Sequence, residues 1–190
     1  MIDQSAIRDT FTIALEMARD LTVDRVGIVG YGIVELIDEN GDLKEVKPFA
    51  NLVTDTGDTY YAAMACALVT PAAPAQPTKL TGMQIGSGST TPAKSGAGGA
   101  MVTFLAGQAF DATFPSSASL GAGLGAEITY KTTYAAGTGT GTVAEATLTN
   151  GTIGTASNAG NTIARILTGS TVKGASDSLA ITWKQKFLGA

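Results

Sequence analysis

The stretch RVGIVGYG, residues 25–32, is the part of this sequence that comes closest to a cofactor-binding motif. An apolar run leads into Gly30 and Gly32, as a strand leads into the phosphate-binding glycines of a dinucleotide site. That fingerprint needs a third glycine where Glu35 stands, and it needs a helix whose N-terminus faces the phosphates. The residues after Gly32 alternate as in a strand, so we predict that this segment binds no cofactor.

Two further segments suggest ligands but fail on residue spacing. DENGDL begins at Asp38 like a calcium loop, yet Leu43 and Phe49 stand where an EF-hand needs glycine and glutamate. GSGSTTPAKSGAGG, residues 86–99, is as rich in glycine as a phosphate-binding loop, but it lacks the Gly-Lys-Ser/Thr core, and Lys94 is misplaced. We predict a hairpin turn for the first segment and a surface or interface loop for the second.

The available residue types exclude the commonest enzyme chemistries. The chain has no histidine, which removes Ser-His-Asp and Cys-His catalysis and the commonest metal ligand. Its one cysteine, Cys66, excludes a disulfide within the chain, and its small neighbours favour a buried, inert thiol. The carboxylates of residues 38–45 lie in and beside a turn, where nothing suggests a desolvated pocket for acid–base work. We predict no catalytic, cofactor or metal site and no enzymatic activity.

Composition points to one folded domain with a surface that is easily buried. The chain has 190 residues, of which 44% are hydrophobic, but only 15% are charged, against roughly 25% in an average soluble domain. Much of the surface must therefore be Thr, Ser, Gly and Ala. A net charge of −4 argues against a nucleic-acid partner. No signal pattern and no apolar run of about 20 residues is present, so we expect no membrane association.

The elements divide the chain into an arm and a β domain. Residues 1–24 form a predicted N-terminal helical arm, because Ile7, Phe11, Leu15 and Ala18 recur at helical spacing. Such a stripe can pack on its own domain or dock on a neighbouring subunit, and the sequence leaves both alternatives open. Residues 25–190 form the predicted domain, a mainly β, antiparallel sandwich or barrel.

Within that domain, residues 25–50 are predicted to form a hairpin that turns at Asn40-Gly41. A helix over about residues 55–69 should follow, capped by Thr54 or Asp55, and then a Pro-rich connection over residues 70–79. The predicted apolar face of this helix consists of Tyr61, Met64, Ala65 and Leu68.

Six β-like runs then alternate with glycine-rich turns: LTGMQIG, AMVTFLAG, AEITYKTTYAAG, TVAEATLTN, NTIARILTG and DSLAITWKQKFLG. In the last run, Leu179, Ile181 and Trp183 share one face, and Gln185 and Phe187 have the same parity. We expect Trp183, Tyr130 and Tyr134 in or beside the core. An exposed aromatic platform for carbohydrate is the alternative for these three rings.

Four segments carry a family resemblance: NLVTDTGDTYYAAM, GMQIGSGSTTPAKSGAGGAMVTFLAG, ITYKTTYAAGTGTG and ARILTGSTVKGASDSLAITWKQKFLGA. In this order, over roughly residues 51–190, they resemble a family of small structural proteins from tailed bacteriophages. The resemblance implies a virion component without catalytic residues. The match to residues 1–50 is weaker.

From the resemblance and the composition we expect a capsid decoration or minor capsid protein that stabilises the head shell through many weak contacts. Its partner would be the major capsid protein of the same particle, and it would be a homo-oligomer such as a trimer. It would assemble in the host cytoplasm and remain in the virion. A tail or baseplate protein is one alternative, and a carbohydrate-binding host-adhesion module is another.

Overall fold

Two antiparallel five-stranded sheets pack against each other in this protein, seen in a computed structural model that describes residues 10, 12–13, 28–67, 77–122 and 124–187. The first sheet has the strand order β2-β1-β10-β7-β6, and the second has the order β3-β9-β8-β4-β5. The strands are β1 (Ile28–Ile37), β2 (Leu43–Ala50), β3 (Leu52–Val53), β4 (Gly82–Gly86), β5 (Phe104–Ala109), β6 (Ser116–Ser119), β7 (Ala126–Tyr134), β8 (Gly141–Thr149), β9 (Thr162–Lys173) and β10 (Ser178–Phe187). An α-helix, α1 (Asp55–Ala67), and a 3-10 turn at Gly96–Gly99 lie between the strands, and the described residues Thr10, Thr12 and Ile13 are also helical.

The predicted mainly β sandwich is therefore confirmed, and each of the six predicted runs contains a strand. Two strands were missed. β3 has only two residues, and β6 has the sequence SSAS, which carries no apolar alternation. Most of the predicted arm over residues 1–24, Leu68, and most of the Pro-rich connection over residues 70–79 lie outside the described residues.

The predicted hairpin is confirmed, with a three-residue loop between Asp38 and Asp42. The backbone N–H of Asp38 donates to the carbonyl of Asp42 at 2.9 Å, and Gly41 has a φ of 86°, in the left-handed region that glycine tolerates. One carboxylate oxygen of Asp38 accepts the N–H groups of Asn40 and Asp42 at 2.8 and 2.9 Å. The first carboxylate of the calcium-like sequence thus closes the turn.

Gly32 of the opening motif is explained by contacts within the chain's own domain. β1 continues as a strand through Glu35 to Ile37, and no helix follows Gly32. A Cβ at Gly32 would overlap the backbone carbonyl of Thr182 on the neighbouring strand β10 and the ring of Phe49. Close packing inside the sandwich requires glycine at this position.

The core between the sheets is centred on aromatic and branched side chains. Trp183 is fully buried, and its ring meets that of Phe49 edge-on at 5.2 Å between centroids. Leu179, Ile181 and Trp183 all belong to the buried core cluster, so the predicted alternation of the last strand is confirmed.

The strands β1 and β10 are neighbours in the first sheet and pair along their whole length. β1 and β10 are antiparallel, with Ile28 opposite Phe187 and Ile37 opposite Ser178. β1 therefore begins beside the residue at which β10 ends.

Helix α1 begins where the sequence predicts, because Thr54 caps it. The Thr54 hydroxyl accepts the N–H of Gly57 at 3.0 Å. Tyr60 is buried and Tyr61 and Met64 pack against the core, but Ala65 is exposed, so its place on the predicted apolar face is wrong. The face that touches the sandwich passes through Tyr60 instead. The Cys66 side chain lies outside the described residues.

Thr54→Ala is expected to lower the free energy of unfolding by about 1–2 kcal/mol. The loss should lie in the upper part of the range for caps, because the buried Thr54 hydroxyl also donates to the carbonyl of Thr162 at 2.6 Å. Urea unfolding measures the change. Thr59→Ala, which removes an exposed hydroxyl on the same helix, is the control. Equal shifts of the two unfolding midpoints would contradict the assignment of Thr54 as the cap.

Candidate interaction site

The outer face of the second sheet is polar and buried under two long loops. Gln84 on β4, Glu145 and Thr147 on β8, and Arg165 on β9 are all fully buried. The covering segments are residues 87–103 and 150–161, which we call the loop layer. Buried polar groups are tolerated only when they are hydrogen-bonded, so the contacts beneath this layer determine whether it is held in place.

An ion pair with both side chains 0% exposed anchors the first loop to the sheet. Arg165 donates from Nε and Nη2 to Oε2 of Glu145 at 3.0 and 2.9 Å, so two charge-assisted hydrogen bonds share one carboxylate oxygen. Its Nη1 donates to the backbone carbonyls of Thr90 at 2.7 Å and Gly98 at 3.3 Å. The guanidinium group therefore joins the loop to β8 and β9.

Glu145 completes the anchor through its other oxygen. Oε1 accepts the backbone N–H groups of Gly88, Val102 and Thr103 at 3.0, 3.1 and 2.8 Å. A buried ion pair stabilises a fold only when further hydrogen bonds satisfy both charges. Here those further bonds all go to the first loop, residues 87–103. The ion pair therefore holds the beginning of this loop at Gly88 and its end at Val102 and Thr103.

The spacing of the first loop's glycines follows from this anchor. A Cβ at Gly88 would collide with the Glu145 carboxylate, and a Cβ at Gly86 would lie 2.7 Å from Glu145 Oε1. The Gly-Ser-Gly sequence that suggests a phosphate site therefore encloses a carboxylate of the protein itself. The prediction of a surface or interface loop agrees with this arrangement.

Gln84 anchors the second loop in the same way. Its Nε2 donates to the carbonyl of Thr155 at 2.6 Å, and its Oε1 accepts the N–H of Ser157 at 2.9 Å. The Ser157 carbonyl in turn accepts the N–H of Met101 at 3.0 Å, which ties the second loop to the first. The two segments form one cross-linked layer.

The solvent side of the loop layer is polar and almost uncharged. Ser89, Thr90 and Thr91 are exposed, and Lys94 is the only charged residue in the two segments. Lys94 pairs with Asp58 of α1 at 2.5 Å, which ties the layer to the helix as well. Such a surface can be covered by a partner without stripping water from unpaired charges.

The other buried ionisable groups serve as structural ties. Lys173 donates to the carbonyls of Ala135 and Asp177 at 3.1 and 2.6 Å, and burial lowers the pKa of its ammonium group. A hydrogen bond from Lys44 holds the pKa of the Asp177 carboxyl below its usual value. Burial raises the pKa of Tyr130 to about 12, so this hydroxyl stays neutral at ordinary pH.

The remaining features give no catalytic arrangement among the residues that the structure describes. Trp183, Tyr130 and Tyr134 are buried, so these three rings form no exposed platform for carbohydrate. An open groove of about 440 Å³ beside α1 includes Asp55, Tyr60 and Asn150 in its lining, with Asp55 its one carboxylate. Within the described ranges, no three metal-ligating side chains cluster, and no helix is long and apolar enough to cross a membrane.

Sequence reasoning missed the anchor residues Gln84, Glu145 and Arg165. The available signal was an isolated charge or amide inside an otherwise uncharged β-like run: MQI, AEA and ARI. Since charged residues are almost never fully buried unless they are paired, one acidic and one basic example in adjacent runs could have suggested the pair.

Comparison with protein-family models, with curated proteins and with solved structures gave no match.

Proposed function

We propose that this protein is a non-enzymatic structural protein of a bacteriophage particle, a decoration or minor capsid protein that binds and stabilises the outer head shell. The observation that carries the proposal is the almost uncharged loop layer, which Glu145 and Arg165 hold to the sheet by hydrogen bonds. A surface that is already ordered loses little conformational entropy on binding. The cores of protein interfaces are depleted of charged residues, which fits the composition of this layer.

The proposed mechanism is interfacial. Each copy contacts the major capsid protein of the same particle through the loop layer, and copies associate with one another, for example as trimers. Each contact can be weak, because binding at one site raises the local concentration at the next. The resemblance of four sequence segments to small virion proteins supports this class of function over a soluble enzyme.

Immunogold labelling tests the proposal on virions of the phage whose genome encodes the chain, with antibody against the purified protein. We expect many labels per particle on the head surface. Labels on the tail or baseplate would contradict the head location but would still agree with a structural protein of the virion. Absence of the chain from purified virions by mass spectrometry would contradict both.

Two matched variants test the loop layer as the contact surface. Thr91→Glu places a charge on an exposed position of the layer, and Ser117→Glu places the same charge on exposed strand β6. We expect the first variant to lose occupancy on particles that lack the wild-type protein, and the second to keep it. Equal occupancy of the two variants would contradict the assignment of the surface.

A further inference from the structure

Strand β6, at one edge of the first sheet, is open to a partner along its whole length. Among the described residues it pairs only with β7, and all four of its residues, SSAS, are exposed. An edge strand presents unpaired N–H and C=O groups, which natural proteins commonly protect with charged residues, proline, a bulge or a cover. β6 contains no charged residue and no proline, and its register with β7 is regular.

The other three edges of the described sheets carry such protection. β2 contains two lysines, a glutamate and a proline. β3 has only two residues and leads directly into α1. β5 contacts β7 of the other sheet, and just beyond β5 the backbone N–H of Asp111 donates to the carbonyl of Lys131 at 2.9 Å. β6 is therefore the edge at which an added strand meets neither charge nor cover.

The hairpin of β6 and β7 determines which backbone groups of β6 point outward. The N–H of Leu120 donates to the carbonyl of Gly125 at 3.0 Å, so these two residues form a hydrogen-bonded pair. Such pairs alternate along an antiparallel ladder, so Ala118 also turns its backbone groups toward β7. Ser117 and Ser119 therefore direct their N–H and C=O groups away from the sheet.

We propose that β6 pairs antiparallel with β6 of a second copy of this chain, across a two-fold axis at Ala118. In this register Ser117 of each copy lies opposite Ser119 of the other, so every outward N–H meets an outward C=O. A two-fold contact uses the same surface on both copies, which an antiparallel pair of identical strands satisfies. The two Ala118 residues form a non-hydrogen-bonded pair, where side chains come closest and a small one fits best. The first sheets of the two copies become one continuous sheet.

The residues of β6 favour a second copy over an unrelated strand. A foreign strand gains specificity from pockets for its side chains, and the Ser and Ala residues of β6 form none. The contact is far smaller than the roughly 20–30 residues a side of a stable interface, so the pairing is weak and depends on concentration. Binding to a particle through the loop layer does not require this pairing, and the inference does not depend on the proposed function.

Disulfide trapping tests the register at two exposed positions of the same strand. Ala118→Cys and Ser119→Cys are each made with Cys66→Ala, because Cys66 is the one cysteine of the chain. The pairing places the two Ala118 Cα atoms about 4.5 Å apart, within the range for a disulfide, and the two Ser119 Cα atoms about 8 Å apart, beyond it. We expect mild oxidation to link the Ala118→Cys variant into dimers at least about tenfold faster than the Ser119→Cys variant. Emission of Trp183 confirms that each variant is folded.

Sedimentation at rising protein concentration tests the pairing without a cross-link. Ser117→Pro removes an outward N–H from each copy and no hydrogen bond to β7, so it should weaken self-association at least about tenfold and leave the fold intact. Ser117→Ala keeps this N–H and should associate like the wild type. Equal linking rates of the two cysteine variants would overturn the proposed register. Equal association of Ser117→Pro and Ser117→Ala, or a wild-type protein that stays monomeric at every concentration, would overturn the pairing itself.

Discussion

Arg165→Ala is expected to lower the free energy of unfolding by about 3–5 kcal/mol. The substitution leaves Glu145, whose side chain is 0% exposed, as a buried charge without its partner. It also removes the donor to the carbonyls of Thr90 and Gly98. Urea unfolding followed by Trp183 fluorescence measures the loss, and faster proteolysis within residues 87–103 should accompany it.

Lys94→Ala is the matched control, since it removes a cation that ties the same loop to α1. Lys94 and Asp58 are 42% and 56% exposed, and exposed pairs contribute at most about 1 kcal/mol. A loss as large as that of Arg165→Ala would mean that burial of the anchor is not the source of its effect.

The double variant Glu145→Leu with Arg165→Met distinguishes the contribution of the ion pair itself from that of its hydrogen bonds to the loop. Apolar replacements of an isolated buried pair are often neutral or stabilising. Here they would leave the N–H groups of Gly88, Val102 and Thr103 without their acceptor, and the loss is about 1–3 kcal/mol for a buried group such as the Gly88 N–H. We expect the double variant to remain clearly less stable than the wild type. Wild-type stability would show that the loop does not depend on Glu145.

Trp183→Ala is expected to cost about 3–5 kcal/mol, the range for removing a large aromatic side chain from a core. The ring is fully buried between the sheets and contacts Phe49 edge-on. Thermal and urea unfolding followed by circular dichroism measure the change, since the variant lacks the indole signal.

Trp183→Phe should cost much less than Trp183→Ala. The indole Nε1 has no hydrogen-bond partner among the described residues, so phenylalanine sacrifices volume but no polar contact. Val172→Ala, at a side chain that is 67% exposed on β9, should leave stability nearly unchanged. Similar losses for Trp183→Ala and Val172→Ala would contradict the central position of the indole in the core.

The parts of the fold that the sequence predicts are those determined by near neighbours. Asn40-Gly41 sets the hairpin, Thr54 caps the helix three residues before Gly57, and alternation sets the face of Trp183. The β6 strand escapes prediction because its four small residues are all exposed and owe their conformation to pairing with β7. Local patterns carry no information about such a partner.

The loop layer could not be predicted for a related reason. Glu145 contacts Gly88 across 57 positions of sequence, and Arg165 contacts Thr90 across 75. A sequence pattern can suggest that a charge in a strand needs a partner, but only the sheet order brings β8 and β9 beneath the glycine-rich loop. From the sequence alone, the glycines of residues 86–99 fit either a phosphate-binding loop or a surface loop. In the structure, Gly86 and Gly88 make room for the Glu145 carboxylate.

The antiparallel pairing of β1 with β10 also determines how the domain responds to force. Because Ile28 lies opposite Phe187, tension applied at these two residues pulls neighbouring strands apart at one end of their ladder. The hydrogen bonds run perpendicular to the strands and are then loaded one at a time, as in a zipper, instead of together. The sandwich should therefore open at low force when it is pulled at Ile28 and Phe187.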